Sequence, residues 1–468
     1  MTLTTEQTAR RGPEPGDVGF GPRFVVAASV GSVLNPVNSS IIAIALVTVG
    51  RAFGVGADQT AWLVLGLYLA TAVGQPTMGK LADRFGALRV YLAGIVLVAI
   101  GGLIGFWGFS FGALIAARVI IGLGTSAAYP AAMAMVHRQA ARLNRPAPGS
   151  VLGALALTGQ VSMVLGPPLG GLLIAAGGWR MIFLVNVPLA LVGAVFALVW
   201  LPRDDALPGG GLRTVWRALD PPGVALFVAG LIALLVFLTG LPAANWPVLV
   251  LAVAALAGLL AWELRAATPF IDVRMLARNR PLALTYLRYL LTFCMIYGFI
   301  YGWTQWLEES AGVSASLSGL MLMPMSIVAA VVTVIGARGR RVTGPLLIGT
   351  PLLLAGCAGL LFLGHAAPWP VQLALAVVFG VPNGLLIVGN QAAMFAQAPG
   401  EQIGTASGLL RTFQYLGAIA SGAVIGVAYG PRATDAGLHH LAIVLVATGV
   451  LLAVLTAVTV RPRRRAGR

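Results

Sequence analysis

The chain has 468 residues, of which 58% are hydrophobic and only 9% are charged. Soluble proteins carry about 25% charged residues, so this composition excludes a soluble globular protein and predicts a helical protein that crosses a membrane many times. The formal net charge of +16 does not indicate a nucleic-acid binder, because the basic residues are scattered through short polar segments and form no patch with aromatic residues.

Apolar runs long enough to cross a bilayer, about 20 residues each, recur along the whole sequence. They lie near 24–49, 60–78, 88–108, 111–135, 150–175, 181–201, 222–240, 245–263, 282–305, 315–336, 344–364, 370–393, 404–427 and 438–460. These runs predict an all-α polytopic membrane protein with about fourteen transmembrane helices. An even number of spans places both termini on the same side of the membrane.

The basic residues indicate which side that is. If the N-terminus is cytoplasmic, most of the thirty lysines and arginines fall in cytoplasmic tails and loops, whereas Arg51, Arg180 and Arg432 fall in loops on the other face. This asymmetry is the positive-inside pattern. We therefore expect a multi-pass protein of the inner (plasma) membrane with both termini in the cytoplasm.

A charged segment, GKLADRFGAL at Gly79–Leu88, follows the second run. A charged cluster is costly in hydrocarbon, so the segment predicts a tight loop at the membrane surface that begins at Gly79 and ends near Gly86. It resembles the signature loop between helices 2 and 3 of the major facilitator superfamily of transporters. The resemblance implies a gating loop, for which the candidate residues are Gly79, Asp83, Arg84, Gly86 and Arg89.

A weaker copy of this segment, GARGRR at Gly336–Arg341, occupies the same place among the last six runs. The repeat predicts two six-helix bundles related by an axis along the membrane normal, with the runs at 222–263 inserted between them after the helix-start signal Asp220-Pro221-Pro222. This arrangement, the major facilitator fold, resembles the fourteen-helix drug/proton antiporter branch from about residue 24 to 460. The predicted segments are a cytoplasmic tail (1–23), a first bundle (24–203), a linker with the inserted pair (204–280), a second bundle (281–460) and a basic cytoplasmic tail (461–468).

Arg118 lies inside the fourth run, in the sequence ALIAARVIIGLG. The sequence resembles the R-x-x-Q-G motif of the family, with Ile121 in place of the glutamine. An arginine within a span is costly unless it faces a polar cavity or a partner, and the resemblance implies a proton or polar relay. The alternative is a structural arginine that binds backbone carbonyls.

The fifth run contains the sequence GPPLGG, which resembles the antiporter motif of the superfamily. The candidate residues are Gly159, Gly166, Pro167, Gly170 and Gly171. Prolines remove backbone donors and kink a helix, and glycines allow a neighbouring helix to approach closely. We expect a bend at a contact that moves during transport, with plain packing of small residues as the alternative. The next motif, which begins at Trp179-Arg180 and resembles the opening of helix 6 in the same branch, is assigned no chemistry.

The first run departs from the family pattern. Alignment on Ala45-Leu46 places Asn38 where the antiporter branch commonly has an aspartate, and an asparagine cannot titrate. A polar first helix broken by Pro36 still predicts a substrate-lining element. The candidate cavity residues are Asn35, Asn38, Gln160, Tyr297, Tyr301, Arg288, Asn390 and Arg411.

Three arginines, Arg118, Arg288 and Arg411, fall at membrane depth, whereas no acidic residue lies deep within a run. A low-dielectric cavity with only positive fixed charge attracts anions, so we expect neutral or anionic substrates to be favoured over lipophilic cations. Two alternatives stay open. The arginines could bind carbonyls away from the cavity, or Glu308 and Glu309 could supply a coupling carboxylate.

The resulting functional prediction is a secondary active transporter, an exporter of small amphipathic drugs or metabolites that works by alternating access. The alternative is an uncoupled facilitator or an exporter of neutral or anionic metabolites. An enzyme is not expected, because the histidines fall in loops or at helix ends and no H-E-x-x-H or nucleotide-binding loop is present. No cofactor, metal or nucleic acid is predicted. The expected partners are a small-molecule substrate and membrane lipid, with protons as a candidate coupling ion and the monomer as the working unit.

Two contacts are also expected. Asp83 should lie at the start of the thirteenth run, near Gly404-Thr405, because a helix N-terminus favours an anion. The inserted pair at 222–263 should pack outside the cavity, because it is uniformly apolar and contains no buried charge.

Overall fold

The computed structural model describes residues 20–204, 219–239, 245–338, 343–430 and 432–459. Within these ranges the chain forms helices and short turns and no β-strand. Several predicted features lie outside the described residues. They are most of the tail 1–23, the tail 461–468, part of the linker 204–280, the end of Gly336–Arg341, and the side chains of Gln160 and Pro167.

The described helices follow the predicted apolar runs. Those before the inserted pair are α1 (Pro22–Phe53), α2 (Ala57–Phe85), α3 (Ala87–Trp107), α4 (Phe111–Thr125), α5 (Ala128–Arg142), α6 (Gly149–Gly177), α7 (Met181–Leu184) and α8 (Asn186–Trp200). The inserted pair is α9 (Pro221–Thr239) and α10 (Trp246–Glu263), followed by the short α11 (Val273–Arg278). The last group is α12 (Arg280–Glu309), α13 (Ala315–Met321), α14 (Met323–Arg338), α15 (Thr343–Gly359), α16 (Trp369–Gln397), α17 (Ile403–Tyr429) and α18 (Asp435–Thr459).

In the described part of the chain, eleven helical segments are long and apolar enough to cross a membrane. Shorter apolar helices lie at Gly149–Gly159 and Pro221–Leu234. The predicted class, a polytopic all-α membrane protein, is therefore confirmed. The number fourteen stays a prediction. Some runs are divided by turns, for example between α4 and α5 at Ser126 and Ala127.

The N-terminal half is α1–α8 and the C-terminal half is α12–α18. Helix α2 packs along α17, and α6 packs along α14, so that these two pairs form seams between the halves. The Asp83 end is the end of the molecule at which α2 joins α3, and the Glu308 end is the one at which α12 ends. Helix α12 has 30 residues and is therefore about 45 Å long, from the Asp83 end to the Glu308 end.

The charged segment Gly79–Leu88 is not the loop that the sequence predicted. Helix α2 continues to Phe85 and α3 begins at Ala87, so Gly86 alone connects them. Gly86 has φ 105°, a backbone conformation that is readily open to glycine and strained for other residues. The prediction of a loop was wrong because a single glycine suffices for the turn, and the charged residues lie on the last two turns of α2.

The inserted pair lies across the seam between α2 and α17. Its side chains Phe227, Leu231 and Leu259 are buried with Ala72 of α2 and Tyr415 of α17. No described residue of α9 or α10 lines the cavity between the halves, which agrees with the predicted position outside it. Burial of this apolar surface holds the pair against both halves.

The expectation of an insertion without buried charge was wrong. Asp220 is 6% exposed and Glu263 is fully buried. Asp220 accepts hydrogen bonds from Trp262 Nε1 and from the backbone N–H of Phe270, both at 2.9 Å, and Glu263 Oε1 accepts one from the Ile271 N–H at 3.2 Å. Each carboxylate binds a backbone N–H, although Glu263 Oε2 has no hydrogen-bond partner among the described residues. The apolar composition of the two helices gave no sign of this burial.

Candidate transport site

A cavity of about 610 Å³ lies between the two halves. Its polar lining comes from both, and includes Asn35, Tyr68, Tyr129, Tyr297, Tyr301, Arg411, Gln414 and Tyr415. The cavity also reaches Glu308, one residue before α12 ends at Glu309. Its volume falls within the range of small-molecule sites, about 300–1,000 Å³. Helices from the two halves therefore enclose a space large enough for a small organic compound.

Asn35 lies at a polar junction in the wall of this cavity. Its Nδ2 donates to Thr125 Oγ1 at 2.9 Å and to Thr71 Oγ1 at 3.3 Å. Its Oδ1 accepts a hydrogen bond from the hydroxyl of Tyr415 at 2.7 Å. Both N–H donors and the oxygen of the Asn35 amide are therefore hydrogen-bonded. These bonds connect α1 to α2 and α4 in its own half and to α17 in the other half.

Arg411 is the one cationic side chain among the described residues that line the cavity. Its guanidinium carbon lies 4.0 Å from the ring centroid of Tyr129, and Nη1 donates to Gln414 Oε1 at 2.8 Å. A cation over an aromatic face is stabilised by the ring quadrupole. The charge is therefore held at a fixed place in the wall, about 12 Å from the start of α17.

Three other predicted cavity residues, Asn38, Arg288 and Asn390, are not in the described lining. Asn38 donates to Asn186 Oδ1 at 2.6 Å. Arg288 donates to Asn390 Oδ1 at 2.7 Å and also binds Thr285 and Thr459. Their polar atoms bind other buried groups of the same helix or of neighbouring helices. For Arg288 this is the alternative that the sequence left open, with side-chain oxygens in place of carbonyls as the acceptors.

Arg118 is also buried away from the cavity, with 2% of its surface exposed. Its Nε donates to the Leu63 carbonyl at 2.8 Å and Nη1 to the Asn38 carbonyl at 3.2 Å. Nη2 has no hydrogen-bond partner among the described residues. These contacts join α4 to α1 and α2, as expected for a structural arginine, and the predicted relay role remains untested.

Asp83 binds the first turn of α17, as the sequence predicted. Its Oδ1 accepts from the Gly404 N–H at 2.8 Å, and Oδ2 accepts from the Thr405 N–H and hydroxyl, both at 2.7 Å. Helix N-termini leave backbone N–H groups without intrahelical partners and favour anions. The carboxylate therefore fastens α2 to α17 at the Asp83 end.

Gly79 lies one helical turn before Asp83, inside α2 and against the backbone of α17. A Cβ at this position would overlap the carbonyl of Gly404, so the close approach of the two helices requires glycine. The other predicted gating residues do not reach the C-terminal half in the same way: the Arg84 side chain is exposed, and Gly86 and Arg89 lie at the α2–α3 turn.

A second carboxylate, Asp204, was missed by the sequence reasoning. It accepts hydrogen bonds from the backbone N–H groups of Leu88 at 3.2 Å and Arg89 at 2.8 Å, and its Oδ1 lies 3.4 Å from Arg138 Nη1. Arg138 also donates to the Asp83 carbonyl at 3.1 Å. Asp204 thus caps α3 within one half as Asp83 caps α17 across the halves. The pair Asp204-Asp205 after an apolar run gives no signal of this contact in the sequence.

The glycines of the antiporter motif lie on α6 and bring it against α1. A Cβ at Gly166 would overlap Ser40 Oγ, and one at Gly170 would lie 3.1 Å from the Ile41 carbonyl. Gly159 lines the cavity and, like Gly171, has open space around it. Two positions of the motif therefore serve close packing, and one faces the cavity.

Glu308 is the one carboxylate in the described cavity lining. Its side chain is exposed, and its Oε1 accepts a hydrogen bond from Ser318 Oγ at 2.6 Å. Glu309 instead binds the Ala433 N–H outside the cavity. Elsewhere in the described chain, no three His, Cys, Asp or Glu residues are grouped so that they could hold a metal ion.

A cavity lined by two helical halves, with a carboxylate that joins the halves at one end of the molecule, fits a membrane transporter. The sequence model of the Major Facilitator Superfamily matches residues 28–422, and the chain belongs to that superfamily. It is 32% identical over 431 residues to the uncharacterized MFS-type transporter YwoD of Bacillus subtilis (strain 168), covering 91% of this chain and 94% of that one.

The chain is also 30% identical over 427 residues to the tetracenomycin C resistance and export protein of Streptomyces glaucescens, covering 88% of this chain and 76% of the relative. In fold it is similar to the crystal structure of the human organic anion transporter MFSD10 (TETRAN), with a TM-score of 0.65, 19% identity, and coverage of 95% and 100% of the two chains. The chain is therefore a multi-pass membrane transporter and not an enzyme.

Proposed function

We propose that the protein is a secondary transporter that exports small amphipathic drugs or metabolites from the cytoplasm by alternating access. The observation that carries this proposal is the combination of a cavity lined by both halves with the Asp83 contact that closes one end of their seam. The export function named for the Streptomyces glaucescens relative supports the same direction of transport.

In this proposal the Asp83 end faces the cytoplasm, in accord with the distribution of basic residues. The structure then corresponds to a state that is closed to the cytoplasm, with the cavity extending toward Glu308 on the outer side. The halves, over about 24–203 and 281–460, exchange this state for one in which the contact between Asp83 and α17 is broken. The monomer in a lipid bilayer, in the inner (plasma) membrane, is the proposed working unit.

Proton coupling is proposed to depend on Glu308, because it is the one carboxylate in the described lining of the cavity. Asn38 cannot take this role, since an amide does not titrate and its Nδ2 is bound to Asn186. The second candidate is an uncoupled facilitator, which the same amide at position 38 favours. The two differ in whether a pH gradient drives accumulation.

Counterflow in proteoliposomes tests the proposal. Purified protein is reconstituted, loaded with unlabelled compound and exposed to the labelled form, for a panel of cationic, neutral and anionic amphipathic compounds. Transient accumulation of at least one compound is expected, with none in protein-free liposomes. An imposed pH gradient should raise the accumulation in the native protein and not in Glu308→Gln. Accumulation that is the same with and without the pH gradient supports the facilitator. Absence of accumulation for every compound of the panel contradicts transport of this compound class.

A further inference from the structure

We infer that the cavity is a binding site for aromatic organic anions, in which Arg411 binds the carboxylate or other anionic group of the substrate. The inference rests on the proposed function and adds to it the chemical class of the substrate and the residue that recognises it. Three observations carry it: the single cationic side chain in the described part of the wall, the absence of a described acidic partner for that side chain, and the tyrosines around it.

The charge of Arg411 has no acidic partner in the described chain. The ion pairs between two described residues join Arg138 to Asp204 and His365 to Asp435, and neither involves Arg411. The one carboxylate in the described lining, Glu308, accepts a hydrogen bond from Ser318. A charge at membrane depth is costly unless it is paired or faces a water-filled cavity. An anionic ligand would supply the opposite charge that the protein does not.

The hydrogen-bond donors of Arg411 suit an anion with two oxygens. The guanidinium carries five N–H donors in a planar fork. Gln414 Oε1 accepts a hydrogen bond from one of them, and the hydroxyl of Tyr129 also interacts with the group. Tyr129 covers a face of the group, which leaves donors along its edge. A carboxylate binds such an edge through two parallel hydrogen bonds.

The rest of the wall suits an aromatic ring. Tyr297 and Tyr301 are stacked, with ring centroids 5.3 Å apart and an interplanar angle of 16°. The ring centroids of Tyr68 and Tyr415 are 5.7 Å apart. Aromatic side chains provide apolar faces for offset or edge contacts with a planar ligand, and their hydroxyl groups can bind polar substituents. Arg288 and Arg118 take no part, since both are bound to neighbouring helices outside the cavity.

Three probes with the same ring and different charge test the inference: 2-naphthoate, the neutral 2-naphthamide, and the cationic 2-naphthylmethyltrimethylammonium. Binding is measured by titration calorimetry on the full-length protein in nanodiscs, with empty nanodiscs as the blank. We expect the native protein to bind 2-naphthoate most tightly. Arg411→Gln should weaken that affinity by about tenfold or more, as for loss of a hydrogen bond between charged groups, and leave 2-naphthamide little changed.

Arg411→Lys should retain part of the affinity, because it keeps the charge and loses the planar fork. Arg180→Gln is the matched control. It removes an exposed arginine that lies over Trp179, outside the cavity, and should bind 2-naphthoate as the native protein does. If Arg411→Gln does not fold, the order of the three affinities in the native protein still tests whether the cavity prefers an anion.

The inference is overturned if the cation binds at least as tightly as 2-naphthoate, if Arg411→Gln keeps the native affinity, or if none of the three probes binds. In each of these cases counterflow of other compounds would leave the proposed transport function intact. Conversely, binding of 2-naphthoate that depends on Arg411, without counterflow of any compound, would contradict transport and leave the anion site standing.

Discussion

The hydroxyl of Tyr415 donates a 2.7 Å hydrogen bond to Asn35 Oδ1, across 380 residues of sequence and between the two halves of the molecule. Both residues line the cavity. The contact differs from the one made by Asp83 in that it joins the halves in the wall of the cavity itself. A ligand that competes for either group would therefore act directly on the contact between the halves.

Tyr415→Phe should weaken the state in which the Asp83 end is closed. A neutral hydrogen bond contributes about 1 kcal/mol, so the ratio of closed to open molecules should fall by about fivefold. The measurement is pulsed electron spin resonance of distances between the halves at the Asp83 end. Tyr429→Phe is the control, because Tyr429 donates to the Gly302 carbonyl within the C-terminal half and should leave those distances unchanged.

Asp83→Asn should open the same end more strongly. The carboxylate accepts three hydrogen bonds from α17, and charged hydrogen bonds contribute about 2 kcal/mol each, so we expect a shift of tenfold or more in the state ratio. The rate at which a membrane-impermeant maleimide labels a cysteine at Ser407, fully buried on α17, reports the opening in a background without Cys294 and Cys357.

The control for this variant is Asp204→Asn, which removes a carboxylate that caps α3 inside the N-terminal half. It should reduce thermal stability without raising the labelling rate at position 407. Equal labelling rates in Asp83→Asn and in the native protein would show that Asp83 does not stabilise the closed state of the Asp83 end.

Gly79→Val should also favour the open state, for a steric reason. Its side chain would collide with the backbone of Gly404, and backbone cannot give way as a flexible side chain can. Gly171→Val on α6, which meets open space, is the matched helical control. We expect loss of counterflow in Gly79→Val and retention in Gly171→Val; full counterflow in both would rule out close approach at Gly79 as a requirement of the cycle.

Lys80→Met should loosen the connection that follows the inserted pair. Lys80 Nζ donates to the carbonyls of Thr268 and Pro269 at 2.9 and 2.8 Å, and their loss exposes this segment to local opening. Hydrogen exchange of the backbone over residues 264–272 should accelerate severalfold. Arg84→Met, which removes an exposed cation from the same turn of the helix, should leave exchange there unchanged. The opposite pattern would assign the anchoring to Arg84.

The features that could be predicted from the sequence are those whose absence would carry a large free-energy cost in a bilayer. Long apolar runs must be helices in a bilayer, so the class and the approximate spans follow from composition. The contact of Asp83 with Gly404 and Thr405 was also predictable, because an aspartate beside an apolar span needs a partner and a helix N-terminus supplies one.

Which face of a helix points into the cavity could not be predicted. Arg288 and Arg411 lie eight residues from the starts of α12 and α17, in similar apolar surroundings. Arg411 lines the cavity, whereas Arg288 binds Asn390 and Thr459. The difference depends on side chains more than one hundred residues away, and a single sequence contains no record of that packing.

The inserted helices α9 and α10 also have a consequence for the route by which substrates reach the protein. They cover the flank where α2 meets α17, with Phe227 and Leu231 packed over Ala72 and Tyr415. Amphipathic compounds concentrate in the lipid leaflets, and many would enter a transporter laterally from the bilayer instead of from the aqueous phase. With this flank shielded, we expect lateral entry at the other seam between the halves, where α6 meets α14. A bulky residue there would select between compounds taken from lipid and compounds taken from the aqueous phase.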